Sequence, residues 1–290
     1  MSEQHGAQGN PFPGEPNTGH IWDNNLRELT NPPPKWWMWG LHASWIFTLA
    51  YFLAYPSIPL LSSHTKGFLQ WTSMQEYRAD LHEIEEVRLP YEKRIASLSA
   101  ADIVKDKELS DYAQRTGKVL FGDNCAGCHG ANGVGNVGFP VLADDDWLYG
   151  GTIDKIQESI TVGRGGVMLA FAQQLSQQDI ERLAQYVLEW SAGTQAADTE
   201  GQRLFTSAGC VGCHGADGKG NQMMGSANLT DKIWRFSHEK EDIKRIIAHG
   251  VNFTNDPETR YAQMPAWGQR LSVSDIKKLA VFVHELGGGK

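Results

Sequence analysis

Apart from two closely spaced pairs, Cys125/Cys128 and Cys210/Cys213, the 290-residue chain has no cysteine. None is left over to build the separate disulfide framework of a small stapled scaffold. Positive charge is also scarce: 26 Lys and Arg stand against 34 Asp and Glu, a net −8 with a pI near 5.7. That balance argues against nucleic acid as a partner and suits a basic protein partner instead. From Trp36 to Tyr55 charge is missing altogether, and Pro56 ends that run.

Twenty uncharged residues in a helix reach ~30 Å, the thickness of a bilayer core. Trp36, Trp37 and Trp39 at one end and Tyr51, Phe52 and Tyr55 at the other resemble interfacial aromatic belts. A cleaved signal peptide fits poorly, because the 35 residues upstream carry more acids than bases and no A-x-A site follows. A buried soluble helix is the other alternative. The reading adopted is a flexible polar leader over 1–35, a transmembrane anchor over 36–61 and a charged helical connector over 62–110. Arg27 and Lys35 upstream are matched by Lys66, Arg78 and Arg88 downstream, so flanking charge leaves the orientation open. His42 inside the run is read as a neutral imidazole at the interface or against a partner helix.

The remaining length suits two globular domains, 111–195 and 196–290, with a small-residue seam at Ala192–Thr199. They repeat one another. Cys125-Ala-Gly-Cys-His-Gly-Ala-Asn-Gly lines up with Cys210-Val-Gly-Cys-His-Gly-Ala-Asp-Gly, and Ser176-Gln-Gln-Asp-Ile lines up with Ser272-Val-Ser-Asp-Ile. Each unit reads helix, C-x-x-C-H, Gly-rich loop, irregular stretch, closing helix, with no strand pattern. Ser176 with Asp179, and Ser272 with Asp275, resemble helix-capping boxes. Ile180, Leu183, Ala184 and Val187 form an apolar stripe whose twin is Ile276, Leu279, Ala280 and Val283. Gly117 and Gly201 in the leading helices permit close helix crossing, with Phe121 expected beside Tyr186 and Phe205 beside Phe282.

In C-x-x-C-H the two thiols can add to the two vinyl groups of one haem, and the adjacent histidine falls under the iron. Zinc or redox-disulfide chemistry would leave His129 and His214 without a role. Two covalently bound c haems are therefore expected. Met168 is the only methionine between His129 and the end of the first repeat. In the second, Met223 and Met224 follow His214 too closely to reach the far haem face, which favours Met264. Both candidates could equally be soft core filler, but they occupy equivalent places before the closing helices. His249 aligns with Val162 and is read as ordinary. Histidine plus methionine closes both faces of an iron, so outer-sphere electron transfer is expected rather than substrate chemistry. Pro140 would offer His129 a backbone carbonyl, Ala227 would do so for His214, and Arg164 could pair with a haem propionate or be an ordinary surface arginine. A membrane-anchored dihaem peroxidase and a free-standing dihaem carrier or dehydrogenase subunit are the rival readings.

The chain resembles the dihaem subunit (subunit III) of cbb3-type cytochrome c oxidases. The resemblance is carried by Pro32-Pro-Pro-Lys-Trp-Trp37, Cys125-Ala-Gly-Cys-His129, Phe139-Pro-Val-Leu-Ala-Asp-Asp-Asp-Trp-Leu-Tyr-Gly-Gly151, Gly163-Arg-Gly-Gly-Val-Met168, Asn228-Leu-Thr-Asp231 and Met264-Pro-Ala-Trp267. Ala227 and Trp234-Arg-Phe236 depart from it. It implies two tandem class I cytochrome c domains in a mostly α chain, in the bacterial inner membrane with a cytoplasmic amino terminus and periplasmic haem domains. Implied partners are a catalytic haem b/copper oxidase subunit, a monohaem cytochrome c subunit, a cytochrome c or bc1 donor, and the lipid bilayer. It further implies exchanged ligands, with Met168 serving the second haem and Met264 the first; spacing alone does not distinguish this from ligation within each domain. Residues 111–198 hold eleven acids against five bases, so Asp144, Asp145 and Asp146 are a candidate docking patch for a basic donor.

Overall fold

The computed structural model describes residues 14–23, 25–194 and 199–288, and the chain divides into two compact units at residues 85/86. In the first unit, strands β1 (Asn17–Trp22) and β2 (Leu26–Leu29) pair antiparallel, with Trp22 opposite Leu26 and Ile21 opposite Arg27. This corrects the expectation of a leader without structure over 17–29; residues 1–13 and 24 of that leader lie outside the described residues. The reason is local. Asp23 takes the left-handed conformation (φ 51°) that Asp and Asn tolerate, which turns the chain although its apolar content is low.

Helix α1 (Lys35–Ala54) starts behind three prolines, which are pre-set for a helix start, and stops where Tyr55 goes extended ahead of Pro56. None of its residues is buried. By mean hydropathy, no described helix is long and apolar enough to cross a membrane. Four tryptophans, Tyr51, His42 and Lys35 dilute the aliphatic residues of α1. Beyond it the chain folds back, with Phe68 N–H donating to Leu53 O (3.0 Å) and Leu69 N–H to Ala54 O (3.1 Å). Gly67 makes this turn at φ +67°, and a Cβ there would lie 2.3 Å from Ala54 O. Helix α2 (Ser73–Ser97) follows.

The second unit is all helix in its regular structure among the described residues: the end of α2, then α3 (Ala100–Lys105), α4 (Lys107–Asn124), α5 (Ala126–His129), α6 (Ile153–Val162), α7 (Gln177–Ser191), α8 (Thr199–Ser207), α9 (Val211–His214), α10 (Lys240–His249) and α11 (Val273–His284). The paired Ser/Asp caps hold: Ser176 and Asp179 form a reciprocal capping box, and Ser272 Oγ accepts from Asp275 N–H at 3.1 Å. Residues 195–198 of the expected seam lie outside the described residues.

The hydrophobic cores cut across the sequence repeats. One core joins Phe121 of α4 and Ile156 and Ile160 of α6 to Ile276, Leu279, Phe282 and Val283 of α11. The other joins Ile180, Leu183 and Tyr186 of α7 to Leu204 and Phe205 of α8 and Ile243 and Ile247 of α10. Each closing helix thus packs in the other repeat. The ring contacts follow suit: Phe121 meets Phe282 at 5.2 Å and Phe205 meets Tyr186 at 6.0 Å, the reverse of the pairing expected from the linear order. Domains drawn at 111–195 and 196–290 are sequence repeats, and they do not coincide with the packed cores.

The two stripes are too alike to choose partners, so the choice rests on the residues beside them. Lys277 of α11 sends its ammonium to carbonyls at the end of α2 and just past it, Ile95 O (3.0 Å), Ala96 O (3.0 Å) and Leu98 O (2.6 Å), where a cation suits the helix dipole. Lys278 pairs with Glu92 at 2.9 Å. The position on α7 aligned with Lys277 is Glu181, which pairs instead with Lys240 (2.5 Å) and Lys244 (2.8 Å) at α10. Opposite charges at one repeat position send the two helices to different seats. A smaller core of Ile95, Ile103, Leu109, Ala113 and Val281 completes the docking of α11, so the last part of the expected connector belongs to the globular unit. Gly117 lets α4 and α11 cross closely, since a Cβ there would sit 2.5 Å from Lys278 O.

Gly117→Val is expected to lower stability by about 2 kcal/mol through overpacking, read by urea unfolding of the haem-loaded protein. An unchanged midpoint would mean that this crossing is not tight. The lysines at Glu181 hold its carboxyl down to about 2, so its contribution is present above the ordinary glutamate value and is lost as pH falls through about 2. Melting curves of Glu181→Gln and the parent should therefore differ at pH 6 and converge near pH 2.

Candidate functional site

Cys125 is the C-terminal cap of α4, and the next turn, α5, carries Cys128 and His129; Cys210 and α9 repeat the arrangement for Cys213 and His214. All four cysteines are free thiols. Burial pushes the Cys125 thiol up to about 11 and raises Cys210 as well, so neither is a ready thiolate at neutral pH. Among the described residues, no group of three or more His, Cys, Asp and Glu side chains is arranged to hold a metal ion.

The Gly-rich loops place a carbonyl on each imidazole. Gly135 N–H donates to His129 O (2.7 Å) and Gly220 N–H to His214 O (2.8 Å), which curls each loop back over its histidine. At Gly220 (φ +78°) a Cβ would lie 2.3 Å from Ser226 O, so only glycine fits this curl. His129 Nδ1 then lies 3.0 Å from Pro140 O, and His214 Nδ1 lies 2.9 Å from Ala227 O. A carbonyl only accepts, so each Nδ1 carries the proton and each Nε2 keeps its lone pair for a metal. Burial lowers both imidazole pKa values, which keeps the rings neutral and able to ligate. Alanine does at 227 what proline does at 140, because the contact uses backbone alone.

The first crevice is lined by Cys125, Cys128 and His129, and by Met264 from the second repeat. Met264 also packs with Cys125 and Ala126 against the core that holds α11. Met168 goes the other way, packing with Cys210 and Val211 against the core that holds α8 and α10. Met264 thus lines the crevice of the C-x-x-C-H of the opposite repeat, and Met168 packs against the same core as Cys210 of the opposite repeat. Met223 is 94% exposed and Met224 is also exposed, so neither competes. Nor does His249, whose Nδ1 faces Asp256 at 3.1 Å and whose Nε2 faces Glu258 at 3.7 Å.

Two arginines line the first crevice. Arg164 already has a carboxylate, Glu158 at 3.0 Å, donates to Ser159 Oγ (3.0 Å) and lies 4.7 Å over the Tyr149 ring. Arg235 reaches in from the second repeat, donating to Gly138 O (3.3 Å) and Ala262 O (3.2 Å), with no carboxylate beside it among the described residues. Burial presses its guanidinium below the usual arginine range, as expected for a charge lacking a counter-ion. Sequence reasoning passed over Arg235; its one signal was that Trp234-Arg-Phe236 departs from the family pattern. Paired thiols, a histidine with a free Nε2, a facing methionine and an uncompensated cation fit a covalently held haem with anionic propionates.

The aspartate run is less exposed than its composition suggests: Asp145 is open, while Asp144 and Asp146 are half-buried. Burial, then the charges of Asp231, Asp144 and Asp145, push Asp146 up to about 6.

Residues 113–187 and 196–283 match the family model for cytochrome c oxidase, cbb3-type, subunit III, and residues 14–62 match the N-terminal domain of cytochrome oxidase-cbb3, FixP. The chain is 43% identical to the cbb3-type cytochrome c oxidase subunit FixP of Azorhizobium caulinodans, covering 99% of this chain and 98% of the relative. It is 40% identical to the FixP of Bradyrhizobium diazoefficiens (96% of each) and 33% identical to the CcoP of Cereibacter sphaeroides (96% and 97%). The repeated attachment motifs, the matching histidine–carbonyl contacts and these full-length likenesses agree: the chain belongs to the cbb3-type cytochrome c oxidase subunit III family, as an electron-transfer chain carrying two c-type haems.

Proposed function

We propose that the chain sits in the bacterial inner membrane as the electron-input subunit of a cbb3-type oxidase. It would receive electrons from a cytochrome c or the bc1 complex and pass them towards a monohaem cytochrome c subunit and a catalytic haem b/copper subunit. Each haem, when bound, supplies an iron that alternates between ferric and ferrous. Cys125 and Cys128 would hold one ring and His129 Nε2 would ligate its iron; Cys210, Cys213 and His214 would do the same for the other. Met264 would be the second protein ligand of the first iron and Met168 that of the second. The presence of Met264 in the crevice of Cys125, Cys128 and His129 carries this reading. A histidine and a methionine on each iron would leave no position for substrate, which favours a relay over a peroxidase.

Helix α1 serves as the single anchor in this proposal. Its support is a 20-residue helix uncharged beyond Lys35, with no side chain buried and Trp36 75% exposed. Covalent haem attachment occurs outside the bacterial cytoplasm, which sets the amino terminus inside and both haem domains in the periplasm. Arg235 pairs with a propionate of the first haem, and Arg164, already bound to Glu158, plays the lesser part. Asp145 is the member of the aspartate run best exposed to meet a basic donor.

Replacing Met264 by histidine is expected to lower the potential of one haem by an amount on the order of 100 mV, within the ~0.8 V span that axial ligands command. Combined with His129→Gly it should perturb that same single haem, whereas Met168→His with His129→Gly should perturb both. The reverse count in potentiometric titrations would restore ligation within each repeat. Asp146 has its folded pKa raised, so its effect favours the fold at low pH and is lost as pH rises through about 6. Asp146→Asn should accordingly raise the melting temperature at pH 8 but not at pH 4; equal shifts at both would contradict the burial of that carboxyl.

A further inference from the structure

The chain segments carrying Met168 and Met264 meet along a short hydrogen-bonded ladder. Met168 and Val251 exchange backbone bonds of 2.9 and 3.1 Å, and Arg164 and Met264 exchange another pair of 3.0 and 2.8 Å. Between these rungs, Gly166 faces a side chain. Asn252 Nδ2 donates to Gly166 O (2.8 Å) and to Ala262 O (3.0 Å), and Asn252 Oδ1 accepts from Ala262 N–H (2.8 Å). Its own N–H donates to Arg260 O at 2.8 Å. The residue is 4% exposed and left-handed at φ 52°, a conformation that asparagine tolerates better than most residues.

Gly166 lies two residues before Met168, and Ala262 lies two before Met264. One buried amide is therefore tied to both segments at the same remove from each methionine. The repeats differ at this place: six positions separate Val162 from Met168, but fifteen separate the aligned His249 from Met264. The extra length supplies the loop that begins at Asn252. It turns back through Phe253 N–H, which donates to Thr259 Oγ1 at 3.0 Å.

We propose that Asn252 is a positioning residue that holds both axial methionines at once, so that two iron–sulfur bonds on different haems tighten or loosen together. The proposal rests on the reading of Met168 and Met264 as ligands. Removing the amide strands Gly166 O, takes the acceptor from Ala262 N–H, leaves Ala262 O to Arg235 alone and frees both segments, which lowers the cost of displacing either sulfur.

The test uses the full-length dihaem protein with imidazole as the competing ligand for the ferric irons. Asn252→Gly keeps the left-handed backbone and removes the amide. It is expected to raise imidazole affinity about tenfold at both haems, equivalent to about 1.4 kcal/mol each. The weak far-red charge-transfer absorption of both iron–methionine bonds should fall in parallel. Asn252→Asp, which keeps the acceptor for Ala262 N–H but lacks the two donors, should move both haems the same way if the glycine variant does not accumulate. Raised affinity at one haem only, or a lower melting temperature with both affinities unchanged, would leave Asn252 a merely structural residue and overturn the proposal. Met168→Ala and Met264→Ala serve as controls, each expected to open one iron. If either opens none, the ligand reading fails and takes the proposal with it. If each opens one while both Asn252 variants open none, the coupling alone is wrong.

Discussion

Each half of this protein is completed by the other. The first crevice takes its closing helix and Met264 from the second repeat, and the core beside Cys210 takes α7 and Met168 from the first. Phe121 has its aromatic partner at Phe282 and Phe205 has its partner at Tyr186, so neither repeat holds a closed core by itself. Everything else in the haem-bearing unit follows from that exchange, from the paired rungs between the methionine segments to the capping of α2 by Lys277.

The exchange costs little in hydrophobic terms because the two stripes are equivalent, and that equivalence gives polar residues the deciding vote. Glu181 and Lys277 occupy one repeat position with opposite charge. The first suits the lysines of α10, and the second suits the carbonyl end of α2. At the crevices the division of labour is reversed. The histidine-orienting contacts come from backbone carbonyls, which is why proline at 140 and alanine at 227 yield the same geometry. Variation is tolerated where the backbone acts and is specific where a charge must choose.

Much of the site was legible in the sequence. The C-x-x-C-H motifs, the capping serines and the two stripes are local patterns, and they fold as local rules require. Spacing sets aside Met223 and Met224, and alignment with Val162 sets aside His249; the structure leaves the two methionines exposed and turns His249 to Asp256. What could not be read from spacing was long-range. Identical stripes do not say which scaffold receives which helix, and the family likeness, rather than the residue pattern, pointed to crossed methionines. Arg235 and Asn252 act far from their sequence neighbours, on Gly138 and Gly166, so no window of sequence contains their contacts. The hairpin at 17–29 escaped because composition weighs burial and overlooks a turn residue such as Asp23.

The interlocking also sets a schedule for synthesis. The core of α7, α8 and α10 has all its helices and Met168 once the chain reaches His249, whereas the first crevice, although its attachment motif emerges earlier, waits for Met264 and for α11. A chain emerging from its amino terminus must therefore keep its first attachment site open until α11 has appeared, which leaves the longer interval for haem delivery at the motif that was made first.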